Sequence, residues 1–154
     1  MLISSMRLVI ASLWVGSIWT VGYVVAPTLF ATIADRALAG TIAGNLFRIE
    51  AWISLACGAM LLLTLVLASK TGISRRKTVA ILIAAMMACS AISHFGLQPF
   101  MAQLRASAEG ALTGDARSQF GMLHGISSIL YLLQSLLGIA LLVKIGGQSS
   151  PQTV

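Results

Sequence analysis

The chain has two histidines, and both sit in strongly apolar surroundings: His94 in AISHFGLQPF and His124 in FGMLHGISSILY. An imidazole in such a run needs a chemical reason. Two neutral imidazoles at matched depth can ligate one haem iron axially, with Trp19, Tyr23 and Tyr131 as walls. With Met87, Met101, Met122 or Cys57 as soft partners, the same pair would suit copper. It would also suit a proton or substrate relay in a small transporter, or two plain hydrogen bonds between helices. Gln98 and Ser127 lie close enough in sequence to share any such site, so His94, His124, Tyr23, Trp19, Gln98, Ser127 and Tyr131 form the candidate set, with the two histidines as candidate metal ligands. No nucleophile-base pair, phosphate loop or carboxylate pair is visible, which disfavours hydrolytic and phosphoryl-transfer chemistry. Cys57 and Cys89 are too far apart for a CxxC motif and read as buried free thiols.

The elements that carry these residues are defined by composition. The 154 residues are 58% hydrophobic and 9% charged, with a mean hydropathy of +0.94, outside the range of a soluble domain. Uncharged runs extend over 8–34, 51–69, 78–104 and 118–143. Each exceeds or approaches the ~20 residues that span a hydrocarbon core as a helix. Lipid excludes open sheets, and the runs lack the alternation of a membrane barrel. The expectation is an all-α integral membrane four-helix bundle built from two transmembrane hairpins. Its helices should cover about 6–33, 46–69, 77–104 and 115–144 within a single domain, 1–145, followed by a disordered tail, 146–154.

Charge placement sets the expected topology. Arg7, then Lys70, Arg75, Arg76 and Lys77, then Lys144 carry the whole net charge of +6, so by the positive-inside bias both termini face the cytoplasm. That cluster should also meet anionic lipid headgroups; a nucleic-acid partner is not expected. The other two connections hold Asp35, Arg36, Arg48 and Glu50, then Arg105, Glu109, Asp115 and Arg117, each set summing to zero. The first run is too long for the roughly 7 to 15 residue core of a signal peptide and contains Trp14, Trp19 and Pro27, so it is expected to remain as a helix.

Within this frame Pro27 should kink or end the first helix, and Pro99 the third. Asp35 should cap a short surface-lying turn that Gly44 and Asn45 close before the second helix starts near Leu46, with Trp52 then at interfacial depth. Asp115 should cap the fourth helix. The hairpins share an outline: Pro27 precedes Phe47 as Pro99 precedes Phe120, and Ile53-Ser54 matches Ile126-Ser127, which raises a parallel internal repeat.

Helix packing in lipid uses small and polar residues. Helical spacing places Ser12, Gly16, Trp19, Thr20, Tyr23 and Pro27 on one face of the first helix, with Ser54, Cys57 and Gly58 on the second. The third offers Met87, Ser90, His94, Gln98 and Met101, and the fourth His124, Ser127, Ser128, Tyr131, Gln134 and Ser135. These stripes should converge inside the bundle, because such groups facing acyl chains would be left unsatisfied. His124, seven residues from Arg117, would lie ~10 Å below the outer surface, near the depth of His94. Gly121 and Gly125 form a GxxxG that should let the third helix approach closely, or else form a seam in a homo-oligomer.

The segments LWVGSIWTVGYVVAPTLF (13–30), DRALAGTIAGNLFRIEAW (35–52) and FGMLHGISSILYLL (120–133) resemble the bacterial domain-of-unknown-function family whose animal relatives are the transmembrane-protein-205-like proteins. Its most specific feature is the His-Gly-x-Ser of His124, Gly125 and Ser127. The resemblance implies a multi-pass protein of the bacterial inner membrane without an established activity. The animal members' association with resistance to platinum drugs implies a link to export. Trp14, Gly16 and Pro27 are more distantly similar to copper-resistance D proteins and haem-binding protoporphyrinogen oxidases. Those oxidases carry a histidine before that tryptophan, where this chain has Ser4, Ser5 and Ser12, so a haem would have to depend on His94 and His124.

Overall fold

The computed structural model describes residues 2–67, 73–107 and 112–147. The described residues are helical apart from short turns, and four rods are long and apolar enough to cross a membrane: Ser4–Thr32, Arg36–Leu67, Arg76–Ala106 and Gly114–Gly146. They consist of α1 (Leu2–Trp19), a π-helical turn (Thr20–Val25) and α2 (Ala26–Thr32); α3 (Arg36–Leu67); α4 (Ile73–Ala91), a second π-helical turn (Ile92–Leu97) and α5 (Gln98–Ala106); and α6 (Gly114–Gly146). α1 packs on α3 and α6, and α4 on the same two helices, so the rods stand around a common axis in up-down-up-down order. One end of the bundle carries the two short hairpin connections; the other carries the segments nearest the termini.

The prolines do not end the rods. Pro has no N–H and its ring crowds the carbonyl four residues back. The chain widens ahead of each: the Ala26 amide donates to the Val21 carbonyl and the Gln98 amide to that of Ser93, five residues back in both cases. The third rod therefore continues past Pro99 to Ala106, where the sequence suggested an end. Each π turn also adds a residue to its helical face. That shift explains why the expected face of the first rod is only partly correct. α1 buries Arg7, Ile10, Ala11, Trp14, Val15 and Ile18, while Ser12, Trp19 and Thr20 are exposed. Beyond the π turn Pro27, though exposed, lines the open half of the bundle.

The second helix is the larger correction. Asp35 caps it as expected, its Oδ1 accepting from the amides of Ala37 and Leu38 at 2.9 and 3.1 Å. The helix then runs unbroken through Gly44 and Asn45, so there is no separate surface turn, α3 starts at Arg36 instead of near Leu46, and Trp52 lies at mid-helix. Gly44 has another use: a Cβ there would stand 3.1 Å from Arg105 Nη1, so its absence lets that guanidinium lie against α3. Thr113 takes the N-cap position of α6, with Asp115 in the first turn. A Cβ added at Gly121 or Gly125 would meet nothing within 4 Å, so the GxxxG does not bring the third rod close. Lys70, Glu109 and residues 148–154 lie outside the described residues.

The two ends of the bundle are packed differently. Toward the termini, Ile10, Ala11, Trp14, Val15, Ile18, Leu61, Leu65, Val79, Ile83, Met86, Leu141 and Ile145 form one apolar core. Arg7 pins it: Nε donates to Thr64 Oγ1 at 3.1 Å and Nη2 to the Thr64 carbonyl at 2.6 Å. Toward the hairpin connections the interior is open.

Candidate intramembrane cavity

The site is built on a polar hub at the midpoints of the rods. Ser54 on α3 accepts from Trp14 Nε1 at 2.8 Å and from Gln134 Nε2 at 3.2 Å, and donates to Glu50 Oε1 at 3.2 Å. With one donor and two lone pairs, its hydroxyl is saturated. Gln134 on α6 donates a second time, to Ser90 Oγ on α4 at 2.9 Å. The Ser17 hydroxyl on α1 lies 3.3 Å from Glu50 Oε1. The first and fourth rods thus meet the second at Ser54 and Glu50, the third joins them through Gln134 and Ser90, and the only buried carboxyl among the described residues is anchored on one oxygen. Its other oxygen, Oε2, is buried and has no hydrogen-bond partner.

Above this floor, toward the hairpin connections, lies a cavity of about 470 Å³. Gly22, Tyr23, Pro27, Phe30, Phe47 and Met101 supply apolar wall, and Glu50, Ser54, Ser90, Ser93 and Gln134 supply the polar floor. Tyr131 is held in place by three contacts. Its hydroxyl donates to the Ile18 carbonyl at 2.5 Å, and its ring meets Tyr23 and Phe47 edge-on at 6.3 and 5.3 Å. A Cβ on Gly22 would collide with Tyr131 Cε1, so only glycine allows this approach. The Tyr23 hydroxyl reaches across to Ser135 Oγ at 3.0 Å.

Of the residues singled out by sequence, Tyr23, His94, Gln98, His124, Ser127 and Tyr131 all line this one cavity. Trp19 does not: it is 40% exposed on the outer side of α1. The imidazoles have different neighbours. His94 packs edge-on against Trp52 and Phe95 at 5.6 and 4.7 Å, and His124 stacks on Phe120 at 6.1 Å. His94 Nδ1 is buried without a hydrogen-bond partner. Arg105 also reaches the wall, its guanidinium 4.7 Å over the Phe120 ring. Among the described residues no group of three or more His, Cys, Asp or Glu side chains could hold a metal ion. Cys57 and Cys89 are free thiols.

Glu50 is not among the sequence candidates: it is counted with the charges of the first connection, although the expected second helix, about 46–69, already contains it. The signal was present in the helical spacing of Ala43, Phe47, Glu50, Ser54, Gly58 and Leu61, a stripe that crosses the supposed break. All but Phe47 are buried.

Fold and site together define an all-α, multi-pass membrane protein with a closed apolar half and an open polar half. The chain belongs to the family described as Domain of unknown function (DUF4149), whose model matches residues 9–110. No curated protein and no solved structure matches it.

Proposed function

We propose that the protein is an intramembrane binding protein whose cavity takes a small ligand with an apolar body and a hydrogen-bond-donating or cationic head. The head seats on Glu50 Oε2, and Gln98, Ser127, His94 and His124 line its approach. The observation that carries this reading is the orphaned carboxyl oxygen at the floor of a largely apolar cavity. An ionisable group held inside a membrane is costly and implies a partner, and a site built to accept a hydrogen bond discriminates strongly against ligands that lack the donor. The charge distribution supports a multi-pass protein of the bacterial inner membrane with both termini cytoplasmic, the cavity then lying in the outer half. The resemblance to export-associated relatives is compatible with a ligand in transit.

Two other readings of the histidines receive less support. As hydrogen-bond links between helices they should be partnered, yet His94 Nδ1 has no partner. As copper ligands they should stand with further donors, and among the described residues no group of three or more His, Cys, Asp or Glu side chains could hold a metal ion.

The test is native mass spectrometry of the delipidated chain with a matched series of apolar amine, alcohol and carboxylate. Binding of the amine, loss of that binding in Glu50→Gln, and weak carboxylate binding are expected. Equal retention of all three by the variant would overturn the assignment of the head to Glu50.

A further inference from the structure

On the other side of α5, in the cleft it forms with α3, a second depression of about 560 Å³ is lined by Thr41, Asn45, Arg48, His94, Gln98 and Arg105, over an apolar bed that includes Phe95, Pro99 and Ala102. We propose that this cleft binds a phosphate group presented at the membrane surface, as on the headgroup of an anionic phospholipid, with Arg48 and Arg105 as its two cationic ligands.

Four observations support this. First, two guanidinium groups line one cleft, and among the described residues neither forms an ion pair or a hydrogen bond; Arg105 has only the Phe120 face. Secondly, Arg48 lies in α3 just ahead of the uncharged run 51–69, at the edge of the apolar segment, where an arginine finds an anion or extends toward water. Thirdly, the remaining polar groups are those that complete a phosphate shell: the Thr41 hydroxyl and the amides of Asn45 and Gln98 can donate to oxygens that the guanidinium groups leave free. Fourthly, Phe95, Pro99 and Ala102 extend the cleft as apolar surface on which the first carbons of acyl chains can rest, which free phosphate would not use. The stripe that buries Glu50 turns Arg48 to the opposite side of α3, since two residues rotate a helix by ~200°. One short segment therefore supplies the carboxyl of the inner cavity and a cation of the outer cleft.

The cleft shares His94, Gln98 and Arg105 with the inner cavity, but Glu50 lines only the cavity and Arg48 only the cleft, so substitutions at those two residues test the two assignments separately. The test titrates the detergent-solubilised full chain with short-chain phosphatidylglycerol, with phosphatidylcholine of the same chain length and with water-soluble glycerol phosphate, reading bound adducts by native mass spectrometry. Phosphatidylglycerol is expected to bind preferentially, with Arg48→Gln and Arg105→Gln each weakening it about tenfold and Arg48→Lys recovering part of the loss. Glu50→Gln should leave this binding unchanged. Glycerol phosphate binding as tightly as the lipid would keep the phosphate chemistry and overturn the lipid source. No preference for the anionic lipid, or equal binding by both arginine variants in a chain that still melts like wild type, would overturn the site altogether.

Discussion

At the scale of single residues, Glu50 and Ser54 organise the interior. Ser54 satisfies three partners with one hydroxyl, and removing one of them can be measured. Trp14→Phe keeps the aromatic volume of a fully buried side chain and deletes the Nε1 donor to Ser54. It should lower stability by about 1 kcal/mol, the usual value of such a bond between membrane helices, in reversible unfolding in mixed micelles. Glu50→Gln retains an acceptor oxygen for Ser17 and Ser54, so the melting temperature should change little while binding of a cationic ligand is lost. A purely structural carboxyl would give the reverse. The sequence disclosed both histidines, Tyr23, Gln98, Ser127 and Tyr131 because polar side chains in apolar runs stand out. It concealed Glu50 because a nearby opposite charge resembles a loop pair, and concealed Trp14 because an indole at helical depth reads as bulk.

At the scale of elements, the π turns explain where reading by a fixed period failed. A period of 3.6 carries one face straight through Trp19 and Tyr23; the extra residue ahead of Pro27 breaks that register, so Tyr23 and Pro27 line the cavity and Trp19 does not. The equivalent turn ahead of Pro99 sets His94 and Gln98 on the shared wall of the cavity and the cleft. Helix count and span followed from hydropathy alone, whereas the start of α3 did not, since Gly44-Asn45 has the composition of a helix stop. Glycine substitutions separate the packed positions from the open ones. Gly22→Ala forces its Cβ into the Tyr131 ring and should cost about 1–3 kcal/mol, as overpacking does, and should also reduce ligand uptake. Gly121→Ala meets nothing within 4 Å and should be neutral or stabilising by up to about 1 kcal/mol through helix propensity. Thermal unfolding of the two variants side by side checks both.

At the scale of the whole molecule, the bundle divides into a closed apolar half that holds the rods together and an open half that faces the cavity. The division predicts separable effects. Ile83→Ala, in the closed half where Ile83 is fully buried, should cost about 2–5 kcal/mol and leave ligand affinity intact. In a chain with Cys57→Ala and Cys89→Ala, a cysteine placed at Ser127 should react with a small thiol reagent and be shielded by bound ligand, while wild-type Cys89, buried in α4, should remain unreacted. The most direct test of the central claim is labelling of membranes with an apolar carbodiimide, followed by peptide mass mapping. A cavity reached from an apolar environment and floored by the orphaned Glu50 oxygen predicts an N-acylurea on Glu50 that an amphiphilic amine suppresses and that Glu50→Gln abolishes. Labelling confined to Asp35 and Asp115, with Glu50 unmodified at saturating reagent, would contradict it.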